Sequence, residues 1–210
     1  MKADITDHQK PTAPQTAGTF LRMAIFASGA GSNAQKIISH FKNSAKANVV
    51  LIVVNKPGAG VVSIAGKENI DVLILDRNKF EETGYVQELK NYKIDFIILA
   101  GFLWKIPSIL INAFSGKMVN IHPALLPAYG GKGMYGNAVH SAVIAAHEKE
   151  SGITIHYVDE KYDHGEIIFQ ASCGIDEQET AESLAEKIHQ LEHENYPKII
   201  EATLDKITGH

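Results

Sequence analysis

Three stretches of this 210-residue chain hold residue types that can do chemistry. In Val119-Asn-Ile-His-Pro-Ala-Leu-Leu-Pro127, Asn120 and His122 alternate with Val119 and Ile121 before Pro123 stops the run. Alternation on a strand turns both polar side chains to one face at the strand's end. An imidazole that titrates near neutrality, beside a neutral amide donor, suits stabilisation of a developing negative charge. The second stretch is the loop Asp159-Glu-Lys-Tyr-Asp-His-Gly165. Asp163 in it, if brought to the same sheet edge, would favour the charged imidazole and let His122 donate a hydrogen bond or proton. Alone, a turn aspartate more often makes a local contact. The third is Ser28-Gly-Ala-Gly-Ser-Asn33, placed after a strand and opening a helix. Glycines there let backbone N–H groups approach an oxyanion, and the helix N-terminus adds partial positive charge, so phosphate binding is the natural inference.

Other signals compete. Gly29, Gly31 and Ala34 satisfy the loose dinucleotide pattern of a nicotinamide oxidoreductase, but the second strand ends at Asn55 rather than at a ribose-binding acid. His189-Gln-Leu-Glu-His193 matches a metalloprotease pattern with both imidazoles on one helical face, with Glu194, Glu201 and Asp205 as candidate third ligands; surface histidines on an amphipathic helix are the plainer reading. Trp104, beside Phe102 and Leu103, is either core or the wall of a flat ligand's pocket.

The elements that must position these groups follow an α/β rhythm. Apolar runs Ala24–Ala27, Val49–Val54, Asp71–Leu75, Asp95–Ala100 and Met118–Ile121 read as strands, most with the unalternating character of parallel strands covered on both faces. Between them, helices are predicted near Asn33–Phe41, Val61–Glu68 and Phe80–Tyr92, with an irregular helix over Leu103–Phe114. After a glycine-rich loop, Tyr129–Gly136, come a helix near Ala138–Glu148 and an antiparallel pair, Gly152–Val158 with Glu166–Cys173. A long helix near Glu179–Leu191 follows, and Pro197 demands a kink or break before Lys198–Leu204. The fold class is α/β, a single doubly wound, mostly parallel sheet with helices on both faces and a C-terminal antiparallel strand pair. Ligands of such sheets gather beyond the strands' carboxyl ends.

Composition bounds the function. A formal charge of -4 removes the usual argument for nucleic-acid or anionic-membrane binding, and no run reaches transmembrane length. The single Cys173, read as a buried strand thiol, has no partner for an intramolecular disulfide and fits a reducing cytoplasm. Residues Met1–Arg22 lack a signal peptide's apolar core and are expected to form a disordered tail, with one domain over residues 23–210 and Met23 as a candidate natural start.

Taken together, Ser28–Asn33, Leu99-Ala-Gly-Phe102, Asn120–Pro127 and Gly152–Gly165 resemble the glycinamide ribonucleotide formyltransferases of purine biosynthesis, over about Met23 to Ile200. The resemblance implies that Gly31, Ser32 and Asn33 hold the ribonucleotide phosphate and that Glu192, ahead of Tyr196-Pro197, touches the ribonucleotide. Leu103, Trp104, Lys105 and Ile106, with the loop near Asp159–Asp163, would receive the pterin of 10-formyltetrahydrofolate, the formyl donor. Asn120 and His122 would face the formyl group, supported by Asp163. No metal is implied, and the partners are these two small molecules, with the chain a monomer or homodimer. Two departures stand out: Trp104 and Lys105 replace an arginine common in relatives, and the Gly130–Gly136 loop is longer than the family's short form. Within the superfamily, the hydrolase of the formyl folate is an alternative. It is disfavoured because no regulatory domain precedes Met23, as is the methionyl-tRNA enzyme because no RNA-binding domain follows.

Overall fold

The computed structural model describes residues 20–209. Its sheet has seven strands in the order β3-β2-β1-β4-β5-β6-β7. β1 (Leu21–Ala27), β2 (Ala47–Val54), β3 (Asp71–Ile74), β4 (Phe96–Leu99) and β5 (Met118–His122) run parallel, and β6 (Glu150–Tyr157) and β7 (Ile167–Gly174) are antiparallel additions. Along β1 the alternation sends Met23, Ile25 and Ala27 into one core and Ala24 and Phe26 into the other. The first core takes α1 (Ser32–Phe41), α2 (Val61–Glu68), α6 (Asn137–Ala145) and α7 (Ala181–Thr208); the second takes α3 (Arg77–Thr83), α4 (Val86–Asn91) and α5 (Ser108–Ala113). Burial on both faces explains why the central strands read as unbroken apolar runs. Strand order reverses between β1 and β4, which opens a crevice beyond their carboxyl ends.

Four boundaries depart from the sequence reading, each for a local physical reason. β1 begins at Leu21, two residues before Met23: Leu21 N–H donates to Lys46 O at 2.9 Å, and Arg22 N–H donates to Asp95 Oδ2 at 2.8 Å. Of the expected tail, residues 1–19 lie outside the described residues. The helix expected over Phe80–Tyr92 is two, because Gly84 takes φ 58° and closes α3 by donating to Phe80 O. A side chain at Gly84 would also meet Leu110 Cβ at 2.9 Å. Helix in the Leu103–Phe114 segment is confined to α5, since extended Pro107 stands at its N-cap and biases the residue before it away from helix.

The fourth departure is α7, which continues through Pro197 for 28 residues instead of breaking. A proline inside a helix costs about 3 kcal/mol in propensity, but here the buried face continues on both sides of it, through Ile188, Glu192 and Tyr196 before and Ile200 and Leu204 after. The fully buried Tyr196 hydroxyl donates to Leu99 O at 2.9 Å, which ties the proline turn to the end of β4. Tertiary packing therefore outweighs local propensity. Cys173 sits half-buried on β7. Among the described residues no helix is long and apolar enough to cross a membrane.

Candidate active site

A cavity of about 730 Å³ opens at the crevice and reaches from the β1–α1 turn to the β6–β7 connection. At one end Gly31 caps α1 with φ 86°, and a Cβ there would lie 2.7 Å from Val61 Cβ, so the position accepts only glycine without strain. No side chain caps α1, no acid stands in its first turn, and the first intrahelical bond is Gln35 N–H to Gly31 O. The N–H groups of Ser32, Asn33 and Ala34 are thus left for an anion, with the helix dipole behind them. The Asn33 side chain turns away to α7, where its Nδ2 donates to Glu192 Oε2 at 2.8 Å. Burial pushes the Glu192 carboxyl up, with the Asn33 bond and His189 opposing. Glu192 therefore closes this end of the cleft instead of standing between His189 and His193. Those two rings stack at 6.2 Å, and no group of three or more potential metal ligands is present among the described residues.

The other end gathers Asn120, His122 and Asp163. His122 is 3 % exposed, and its Nδ1 lies 3.6 Å from Asp163 Oδ1. The ring's far nitrogen, Nε2, donates to Tyr129 O at 2.8 Å, so in the neutral ring Nδ1 is the bare nitrogen that can receive a proton. Asp163, itself at φ 53°, accepts from Gly131 N–H at 2.8 Å. The base of the glycine-rich loop thus touches both members of the pair. His156, which the sequence reading had not singled out, lies across β5–β6 in register with Asn120. Its Nδ1 donates to Tyr157 O at 2.7 Å, leaving Nε2 to accept from Asn120 Nδ2 at 3.1 Å and to sit 3.7 Å from Asp163. Alternation marked it, since His156 falls between Ile155 and Tyr157 on the strand beside Asn120.

Burial works against the charge expected on His122 in the free protein. Burial holds its imidazole below the ordinary 6.5, outweighing the raising effects of Asp163 and the Tyr129 carbonyl, while His156 adds to the lowering. Burial also pushes Asp163 up, but His156, His122 and the Gly131 N–H together hold it below the usual carboxylate range. The pair rests as carboxylate and neutral imidazole, a base poised to become an acid next to a fixed negative charge.

The apolar wall comes from Leu103–Ile106. Ile106 is buried, Trp104 is half-buried, and Leu103 and Lys105 reach the cavity from more exposed or rim positions. Trp104 belongs to an aromatic cluster with Phe80 and Phe102, and the guanidinium of Arg77 on α3 lies 5.0 Å from its ring centroid. A cation on α3 therefore packs against the Trp104 ring of this wall. Ser28 Oγ accepts from Leu103 N–H at 3.0 Å and locks the wall to the β1–α1 turn.

The family described as formyl transferase matches residues 21–200. A phosphoribosylglycinamide formyltransferase of Bacillus subtilis is 38% identical over 189 residues, covering 87% of this chain and 94% of its own. A chloroplastic relative of that name from Arabidopsis thaliana is 40% identical over 88% of this chain, and the chain spans 66% of its length. A crystal structure of phosphoribosylglycinamide formyltransferase from Bacillus halodurans superposes with a TM-score of 0.78 at 42% identity, covering 89% of this chain and 94% of that one. One of glycinamide ribonucleotide transformylase 1 from Geobacillus kaustophilus gives 0.80 at 39%, covering 88% and 99%. With the match spanning nearly every described residue and both ends of the cleft, the chain belongs to the formyl transferase family.

Proposed function

We propose that the protein transfers the formyl group of 10-formyltetrahydrofolate to the amine of glycinamide ribonucleotide, giving formylglycinamide ribonucleotide and tetrahydrofolate in purine biosynthesis. The observation that carries this reading is the meeting of Asn120, His122 and Asp163 in one cavity with an uncapped helix N-terminus. A phosphate fits the α1 terminus through the N–H groups after Gly31. Glu192, protected from water, suits the ribose hydroxyls. Leu103, Trp104, Lys105 and Ile106 form a mostly apolar slot for a flat heterocycle, and its formyl group would then reach Asn120 and His122.

The chemistry follows from the charges. The substrate amine bonds to the formyl carbon, and the carbonyl oxygen becomes anionic in a tetrahedral intermediate. Asn120, its amide oriented by His156, donates to that oxygen. The bare Nδ1 of His122 takes the proton the amine must shed, and Asp163 stabilises the imidazolium so formed. When the bond from carbon to the folate nitrogen breaks, the same proton passes to that nitrogen, directly or through a water. Burial opposes charge on His122 at rest, and the oxyanion and Asp163 favour it at the intermediate, so the interaction strengthens where it accelerates the reaction. Incubating the protein with both compounds is expected to release tetrahydrofolate and form formylated ribonucleotide together; release without the ribonucleotide would show a hydrolase, and no release at all would overturn the proposal.

A further inference from the structure

One group on the cavity wall has no use in the machinery above. We infer that His140 is a further substrate-binding residue, whose Nε2–H donates to a neutral acceptor oxygen on the ribosyl-glycinamide span of the substrate. The inference rests on the formyl-transfer reading and deepens it.

His140 lies on α6 between Val139 and Val143, all three on the face buried toward α7. It is 2 % exposed, and its Nδ1 is shut in with no hydrogen-bond partner among the described residues. An imidazole buried on an apolar helix face is costly unless its polar atoms are paired, and structural histidines meet that condition within the protein. His140 does not meet it, yet its ring lines the cavity. With Nδ1 enclosed, a proton there would be an orphaned buried donor, so the neutral ring carries its proton on Nε2, the ring nitrogen that is not shut in. Burial, together with His189 and His122, keeps the ring neutral. His140 shares the cavity lining with His122 of the transfer centre and with His189, which lies one helical turn from Glu192 at the ribonucleotide end. The part of the substrate that spans those two points is the ribose and its glycinamide arm. A neutral donor suits a hydroxyl or amide oxygen there, whereas a phosphate would call for a cation or a helix terminus.

The test compares wild type with His140→Leu and His140→Gln by steady-state kinetics, varying each substrate in turn, and by thermal melting. His140→Leu is expected to melt at or above the wild-type temperature, because the imidazole pairs with no group among the described residues. It should raise KM for glycinamide ribonucleotide about tenfold, the loss of one hydrogen bond, and leave KM for the folate within about twofold. His140→Gln, whose amide N–H reaches the same region, should recover most of the loss. An unchanged KM for the ribonucleotide in His140→Leu, an equal rise for both substrates, or a marked drop in melting temperature would each overturn the inference. A wild-type protein that releases no tetrahydrofolate would overturn the formyl-transfer reading instead, a result separate from any difference among the variants.

Discussion

At the α1 end of the cleft the free N–H groups come from a single turn of chain, with Glu192 of α7 closing over them, whereas the His122 end draws on β5, β6 and two loops, from Asn120 to Asp163. At the first end the useful charge is fixed by the backbone: Gly31 sets the turn and the α1 terminus presents its N–H groups whatever the pH. At the second the useful charge is contested, since burial and ion pairing pull His122 in opposite directions. A site built from backbone dipoles binds a permanent anion, while a site built from opposed effects can change its protonation as the reaction proceeds. Substitutions at the two ends should therefore fall on different kinetic parameters.

The largest effect is expected from His122→Ala, which removes the proton acceptor but none of the phosphate contacts. Turnover should fall about 10²- to 10⁴-fold with the ribonucleotide KM nearly unchanged; steady-state kinetics giving the loss in KM instead would erase the contrast. Next is Gly31→Ala. A side chain at φ 86°, 2.7 Å from Val61 Cβ, carries a strain of about 1–3 kcal/mol, and relief of it moves the N–H groups off the phosphate. Ribonucleotide affinity measured by calorimetry should drop at least about fivefold, the equilibrium equivalent of about 1 kcal/mol.

The electrostatic half of the comparison is sharpened by pH. His122 and His140 have folded values held below 6.5, so the unfolded chain binds their protons first. Their contribution to stability is present above pH 6.5 and is lost as pH falls from there toward their lowered values. Denaturant unfolding should show that loss, and His140→Leu should flatten it in part. The smallest effect is expected from Tyr196→Phe, a buried residue outside the cavity lining. Removing the hydroxyl that donates to Leu99 O should cost about 1 kcal/mol of unfolding free energy, read from the denaturation midpoint, with the ratio of kcat to KM little changed.

What the sequence made legible follows the same division. The strands, the α1 terminus and Gly31 could be read because each is written in adjacent residues. Asn120 and His122 were legible through alternation, and Asp163 only as a candidate, since 41 residues separate it from His122 and a loop's reach is not encoded locally. The 3.6 Å approach of the two is a property of the β5–β6 pairing and the connection after β6. The sign of the His122 shift was not legible: a nearby carboxylate argues for charge, and only the three-dimensional burial shows that desolvation outweighs it. His156 and His140 were passed over because a histidine among apolar residues reads as core until its partners, or their absence, are known. Pro197 misled for the converse reason, as a strong local breaker overruled by packing on both sides.

The central claim is that Asp163 and His122 act together on the charged intermediate. It is tested most directly by the turnover of Asp163→Asn with both substrates saturating and the fold checked by melting. A drop of about 100-fold or more with ribonucleotide and folate KM values near wild type is expected, because the imidazolium loses its counter-charge. Turnover within about threefold of wild type would contradict the pairing, since a shift of that size is under about 1 kcal/mol of transition-state stabilisation.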